Sequence, residues 1–237
     1  MGINYKVPFR SEQTIAAIAA RCWAMSPQQR PLTFDVVAFI KKVLVAEGID
    51  AIVSTRGRKK GKLAIKFFDR QFPQDDPAYV EFAKDQRENY VTLNVDREIS
   101  RLAELGDSDA IEILAHEIGH ILLHDHYANA FSSDSNSQKL FEGTSKEDFA
   151  EWQAITFAGH LLIPTRVAEK FRDSKILSAV TNTPERLAQE RLNVVLNAKK
   201  ILNPSYEGEM CGGCGGFTLV REGRYLRCDI CGTSSGS

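Results

Sequence analysis

The segment HEIGHILLH, residues 116–124, constrains the fold of this 237-residue chain more than any other stretch. In an α-helix, residues four apart lie on one face, so His116 and His120 present two imidazole nitrogens toward a single point. Such a pair supplies two ligands to a Zn²⁺ ion about 2 Å away. Glu117 follows the first histidine and can sit beside the open coordination position, where a carboxylate takes a proton from water. Gly119 removes a side chain next to the site, which lets another element or a substrate pack closely. The pattern predicts a helix over Ser108 to His124. Asp107, Asp109 and Glu112 favour its N-terminal end, and Ile113, Leu114, Ile118, Ile121 and Leu122 bury the site.

Catalytic zinc usually takes three protein ligands and keeps a fourth place for water, so a third ligand must be found. His126 stands ten residues after His116, the offset of HExxHxxGxxH sites. That pattern needs glycine at position 123, where this chain has Leu123. It also needs a later methionine turn, whereas the methionines are Met1, Met25 and Met210. His124 lies about 12 Å along a straight helix from His116, too far to share one ion, and reads as a surface histidine near the cleft rim. The third candidate is an acid on the following helix, predicted over Glu147 to Ile163 and stopped by Pro164. Glu147 and Glu151 share a face there, and geometry does not choose between them.

HEIGHILLH, followed by a helix ending in FAGHLLIP, resembles the ImmA/IrrE family of bacterial and phage metallopeptidases. Its members carry HExxH with a trailing apolar run and histidine, then a helix of the form E-x-E-A-N-x-F-A-x-x-L-L-M-P. Aligning Pro164 with the family's terminal proline sets Phe157, Ala158, Leu161 and Leu162 on their counterparts, and the family's metal-ligand glutamate on Glu151. Gln153 stands where the family often has a second glutamate, Ile155 where it has asparagine, and His160 where it has a small residue. His160 is about half a turn round the helix from Glu151, which gives it a structural role on the opposite face.

The resemblance implies an α+β fold, a mainly helical zincin-like domain with a small antiparallel sheet. It implies an intracellular zinc-dependent endopeptidase acting on a regulatory protein, a repressor or antitoxin-like partner, under DNA damage or another stress. His116, His120 and Glu151 would hold catalytic zinc, with Glu117 as general base; Mn²⁺ suits the same two imidazoles and carboxylate. The run YVTLN would pair with an extended substrate as an edge strand, which makes Tyr90, Thr92 and Asn94 the expected substrate-binding residues. A second reading keeps the metal site in a non-proteolytic regulator whose tail binds DNA or a partner protein.

The tail carries Cys211-Gly-Gly-Cys214 and Cys228-Asp-Ile-Cys231, two CxxC pairs around FTLVREGRYLR, which reads as a hairpin turning at Glu222-Gly223. Four thiolates close a tetrahedron and leave no water site, so this zinc is structural and substitutes for a core that so short a segment cannot build. The composition changes near residue 205, which sets the expected domains at 1–205, the metallopeptidase-like domain, and 206–237, a four-cysteine zinc ribbon. Arg221, Arg224 and Arg227 are set against Glu207, Glu209, Glu222 and Asp229, a balance that favours docking of a protein over nucleic acid. Phe217 and Tyr225 are candidate contacts.

Elsewhere, apolar spacing predicts helices over Glu12 to Met25 and Thr33 to Ala46, and Thr183-Pro184 starts a last helix through about Leu202. Ile49 to Ser54, Leu63 to Phe68 and Tyr90 to Val95 read as strands. Thr55 to Lys62 is a basic hairpin loop, and Ala128 to Lys146 a polar loop. With 30 basic and 31 acidic residues the net charge is -1, so bulk attraction to nucleic acid or anionic lipid is excluded. Neither a signal-peptide pattern nor an apolar run of membrane-spanning length occurs, which gives an expected cytoplasmic location and no membrane partner.

Overall fold

The structure is a computed structural model, and it describes residues 7–27, 31–53, 61–69, 76–83, 90–124, 149–201, 210–215, 219–222, 225–228 and 231–236. The loop expected at Ala128 to Lys146 and the basic run up to Lys60 lie outside the described residues. The chain packs as two compact units, residues 1–191 and 192–237, which divide inside the last long helix.

In the first unit, helix α1 (Glu12–Met25) begins where the Ser11 hydroxyl accepts the Thr14 amide, and it buries Ile15, Ile18, Ala19, Cys22 and Trp23. Asp35 caps α2 (Val36–Phe39), which runs on into a π-helical turn over Ile40–Leu44. Gly48 ends this stretch with φ 90°, a conformation that side chains disfavour. The next segment departs from expectation. Ile49–Ala51 is a single 3₁₀ turn and not a strand.

The sheet consists of β1 (Lys62–Phe68), β2 (Ala78–Phe82) and β3 (Tyr90–Asp96) in the order β1-β3-β2. It is mixed rather than wholly antiparallel. β1 runs parallel to β3, with Leu63 opposite Val91, and β2 runs antiparallel to β3, with Val80 opposite Leu93. Alternation in a sequence reports which face of a strand is buried but not the direction of its neighbour. β2 has only five residues, too few for its alternation of Ala78, Val80 and Phe82 to stand out.

This topology corrects the expected role of YVTLN. Both edges of β3 are already paired, so its backbone cannot accept a further strand through Tyr90, Thr92 and Asn94. Thr92 and Asn94 are buried, and the Asn94 side-chain amide donates to Glu81 at 3.0 Å.

Asp96 caps α3 (Arg97–Leu105), which Gly106 ends at φ 88°. Asp107 then caps α4 (Ser108–Leu123), where the motif helix was expected. The helix α5 (Ala150–Leu162) follows, then α6 (Thr165–Ala168), α7 (Ser174–Thr181) and α8 (Glu185–Ile201). α4 packs most extensively on α5, and α5 in turn on α1. Their shared core is Ile15, Ile118, Ile121, Leu122, Phe157, Leu161 and Leu162, all fully buried. The Trp23 indole donates to the Leu161 carbonyl at 2.7 Å, which satisfies its one polar atom inside this core. No helix among the described residues is long and apolar enough to cross a membrane.

The second unit holds an antiparallel sheet of β4 (Leu219–Glu222), β5 (Tyr225–Cys228) and β6 (Ser234–Gly236). Glu222 pairs with Tyr225, which leaves two residues for the connection, as a tight hairpin requires.

Candidate metal centre

Three side chains from two helices converge in the first unit. His116 and His120 project from one face of α4, and their Nε2 atoms lie 3.0 Å apart. Glu151, in the first turn of α5, brings its two carboxylate oxygens to 3.3 Å from His116 Nε2 and 3.4 Å from His120 Nε2. One ligand atom from each residue falls within 4.8 Å of the others. A tetrahedral ion with bonds of about 2.0–2.1 Å spaces its ligands by about 3.3–3.4 Å, so the donor set fits zinc in chemistry and in size. His126 and Glu147, the other candidates for a third ligand, lie outside the described residues.

The close approach of α5 has a local cause. A β-carbon on Gly119 would meet the Cα of Ala154 at 3.0 Å and its carbonyl oxygen at 3.1 Å, so only glycine permits this helix spacing. The pair Gly119 and Ala154 stands one turn along from His116 and Glu151. Contact between the helices at the glycine thus brings the carboxylate to the two imidazoles.

Burial and charge oppose each other at the cluster. Burial would raise the Glu151 carboxyl, but hydrogen bonds from His116 and His120 outweigh it and hold the group well below the usual carboxylate range. Burial keeps His120 below its ordinary value, whereas for His116 the neighbouring carboxylates of Glu151 and Glu117 overcome burial and raise it. Glu117 is only 7% exposed. Its carboxyl is pushed up to about 8, by burial first and then by the negative charges of Glu151 and Asp76, against the pull of His116. Asp76, just before β2, therefore belongs to the electrostatic surroundings of the site. Its sequence neighbourhood carries no motif that would have marked it.

Two histidines take different places. His124, expected at the surface, is 1% exposed, and its Nδ1 lies 3.0 Å from His120 Nδ1. The chain leaves the helix at His124 with extended backbone angles, φ -111° and ψ 162°, so its ring folds back against the motif instead of continuing to the rim. His160 has the structural placement expected of it. Its Nε2 is 3.0 Å from Glu12 and its Nδ1 is 3.1 Å from Arg191, on the far side of α5 from Glu151. Gln153 also turns away from the cluster, and its amide donates to the Pro8 carbonyl at 3.0 Å.

The second unit has a cluster of its own. Cys211, Cys214, Cys228 and Cys231 bring their sulfurs within 4.8 Å of one another. The Cys211 and Cys231 sulfurs are 3.6 Å apart and those of Cys214 and Cys228 are 3.5 Å apart. A tetrahedral Zn–S bond of about 2.3 Å gives an edge of about 3.8 Å, close to this spacing. Gly215 and Gly232 adopt φ 73°, the left-handed conformation that closes each CxxC turn. The Gly213 amide points at the Cys211 sulfur at 3.4 Å. Tyr225 is exposed, and Phe217 lies outside the described residues.

Comparison with known proteins agrees with the first cluster. Residues 103–194 match the peptidase family model described as the IrrE N-terminal-like domain. The match takes in α4 and α5, and with them His116, Glu117, His120 and Glu151. A vitamin B12-dependent ribonucleotide reductase of Bradyrhizobium diazoefficiens is 43% identical over 77 residues, 32% of this chain and 6% of that protein. No solved structure matches.

Proposed function

We propose that this chain, whose residues 103–194 match a peptidase family model, is a zinc-dependent endopeptidase that cleaves a regulatory protein inside the cell. The observation that carries the reading is the spacing of 3.0 to 3.4 Å among His116 Nε2, His120 Nε2 and the Glu151 carboxylate, which fits the ligand shell of one tetrahedral ion. His116 and His120 would bind the ion through Nε2 and Glu151 through carboxylate oxygen. Bound there, zinc supplies Lewis acidity, polarising a peptide carbonyl and acidifying a water molecule.

The chain's own residues supply the rest. Glu117 takes a proton from the attacking water at a carboxylate oxygen and delivers it to the leaving amine nitrogen. Its elevated proton affinity belongs to the metal-free cluster, and a cation held by the three ligands opposes it. Burial of Glu117 and His120 keeps bulk water from competing for that proton. Among the described strands β2 is an edge that packs against α4, so an extended substrate would pair there and not on β3.

Residues 206–237 would form a ribbon around structural zinc that docks the protein partner, a repressor or antitoxin-like regulator. The reductase likeness spans 6% of that enzyme, too little to carry its activity across.

The decisive experiment is Glu117→Gln in the full chain, assayed on the cognate regulator found by co-expression with neighbouring gene products. The variant should keep its metal and lose cleavage by about 10²- to 10⁴-fold, the usual contribution of a general base. Full cleavage by the variant would overturn the peptidase reading.

A further inference from the structure

We infer that His124 is a positioning residue of the metal centre: its Nδ1 accepts the Nδ1–H of His120 and so holds the His120 ring with Nε2 bare and turned toward His116 and Glu151. The inference rests on the metal-binding role proposed for that cluster. It begins from proton placement. A neutral imidazole carries one N–H and one lone pair, so a ring that offers Nε2 as a donor to a metal must bear its proton on Nδ1. That proton needs an acceptor, because a buried donor without one costs about 1–3 kcal/mol.

His124 Nδ1 stands 3.0 Å from His120 Nδ1. The two ring centroids are 5.0 Å apart at an interplanar angle of 55°, so the contact is made edge to edge through nitrogen and not by stacking. Acceptance at Nδ1 places the His124 proton on Nε2. The arrangement is anchored on the backbone as well. The His124 amide donates to the His120 carbonyl at 3.1 Å, and the Arg10 guanidinium donates to the Leu123 carbonyl at 3.1 Å. The helix end is therefore pinned on both sides of the ring. His124 meets the ligand set at His120, so it acts through another residue.

Leu and Asn differ little in size, but only Asn places an acceptor atom where histidine has Nδ1, so His124→Leu and His124→Asn separate hydrogen bonding from packing. Each full-length variant is titrated with Co²⁺. The four-cysteine cluster announces itself by thiolate charge-transfer absorption, and a two-histidine, one-carboxylate site only by weak ligand-field bands at shorter wavelength than the cluster's own. The ribbon thus serves as an internal control. For wild type, both signals are expected, and absence of the ligand-field signal would defeat the metal-binding reading itself. Where wild type binds, His124→Leu should weaken the histidine site by about 10- to 100-fold, the usual effect of removing a ligand's hydrogen-bond partner, with the thiolate signal unchanged. His124→Asn should bind within about threefold of wild type, a small fraction of that loss. Equal affinity in the Leu and Asn variants would overturn the inference. Loss of folding in both would assign His124 to the core alone and overturn it equally.

Discussion

Gly119 and Ala154 set the distance between the two helices that form the candidate metal centre: a β-carbon on Gly119 would lie 3.0 Å from the Ala154 Cα. The atom in the way is backbone, so α5 cannot yield by rotating a side chain. Gly119→Ala should therefore push α5 outward and cost about 1–3 kcal/mol, the usual penalty of overpacking. The same displacement draws Glu151 away from His116 and His120. A urea melt of the metal-free chain, together with a zinc titration, should show both lower stability and weaker binding. An alanine variant as stable and as tight-binding as wild type would mean that the helix spacing is not set here.

Metal stoichiometry separates the two clusters. The purified chain should hold about two zinc ions, one for each tetrahedral ligand set. Changing His116 and His120 together to alanine should remove one, and changing Cys211 and Cys214 to serine should remove the other. Elemental analysis of the three proteins reads this directly. Loss of both ions from either variant would contradict independent sites.

Much of this centre is legible in the chain itself, because its chemistry follows a helical period: His116, Glu117 and His120 fall into place once α4 is a helix. Gly119 is legible as a gap but not as to what fills it, and only the packing of α5 answers that with Ala154. The sheet is less legible. The run Tyr90 to Val95 identifies a strand, yet its position between β1 and β2 depends on Ala78–Phe82, five residues whose pairing is long-range information. His124 departs from the sequence expectation for a similar reason. Counting residues along a straight helix carries it to the rim, whereas extended backbone at the helix end folds it back onto His120.

The network behind α5 should make stability depend on pH in a defined direction. Burial first, and the charge of Arg191 second, hold His160 below its ordinary value despite the nearby Glu12. The unfolded chain then binds this proton more readily than the folded one, so stability rises with pH through the histidine range and falls as pH drops below it. One such group contributes a slope of at most about 1.4 kcal/mol per pH unit. Between pH 7 and pH 5, His160→Gln should lose stability less steeply than wild type, read as the shift in urea midpoint. Equal slopes in the two proteins would remove His160 as a source of the effect.

The cysteines should divide by reactivity in the order of their burial and acidity. Cys22 is fully buried on α1, and burial pushes its thiol far above the ordinary range, so it carries essentially no thiolate near neutral pH. Cys231 is exposed, and hydrogen bonds with Thr233 hold it below that range. Cys214 is also exposed, while Cys211 and Cys228 are buried. Without chelator, bound zinc should protect all four ribbon thiols, and a thiol reagent at pH 7 should consume almost none. A chelator should release them, with Cys231 and Cys214 labelled ahead of Cys211 and Cys228. Cys22 should react only once denaturant opens α1 from α5. Mass spectrometry of the labelled peptides distinguishes these classes, and early labelling of Cys22 in the folded chain would show that α1 opens far more readily than its packing implies.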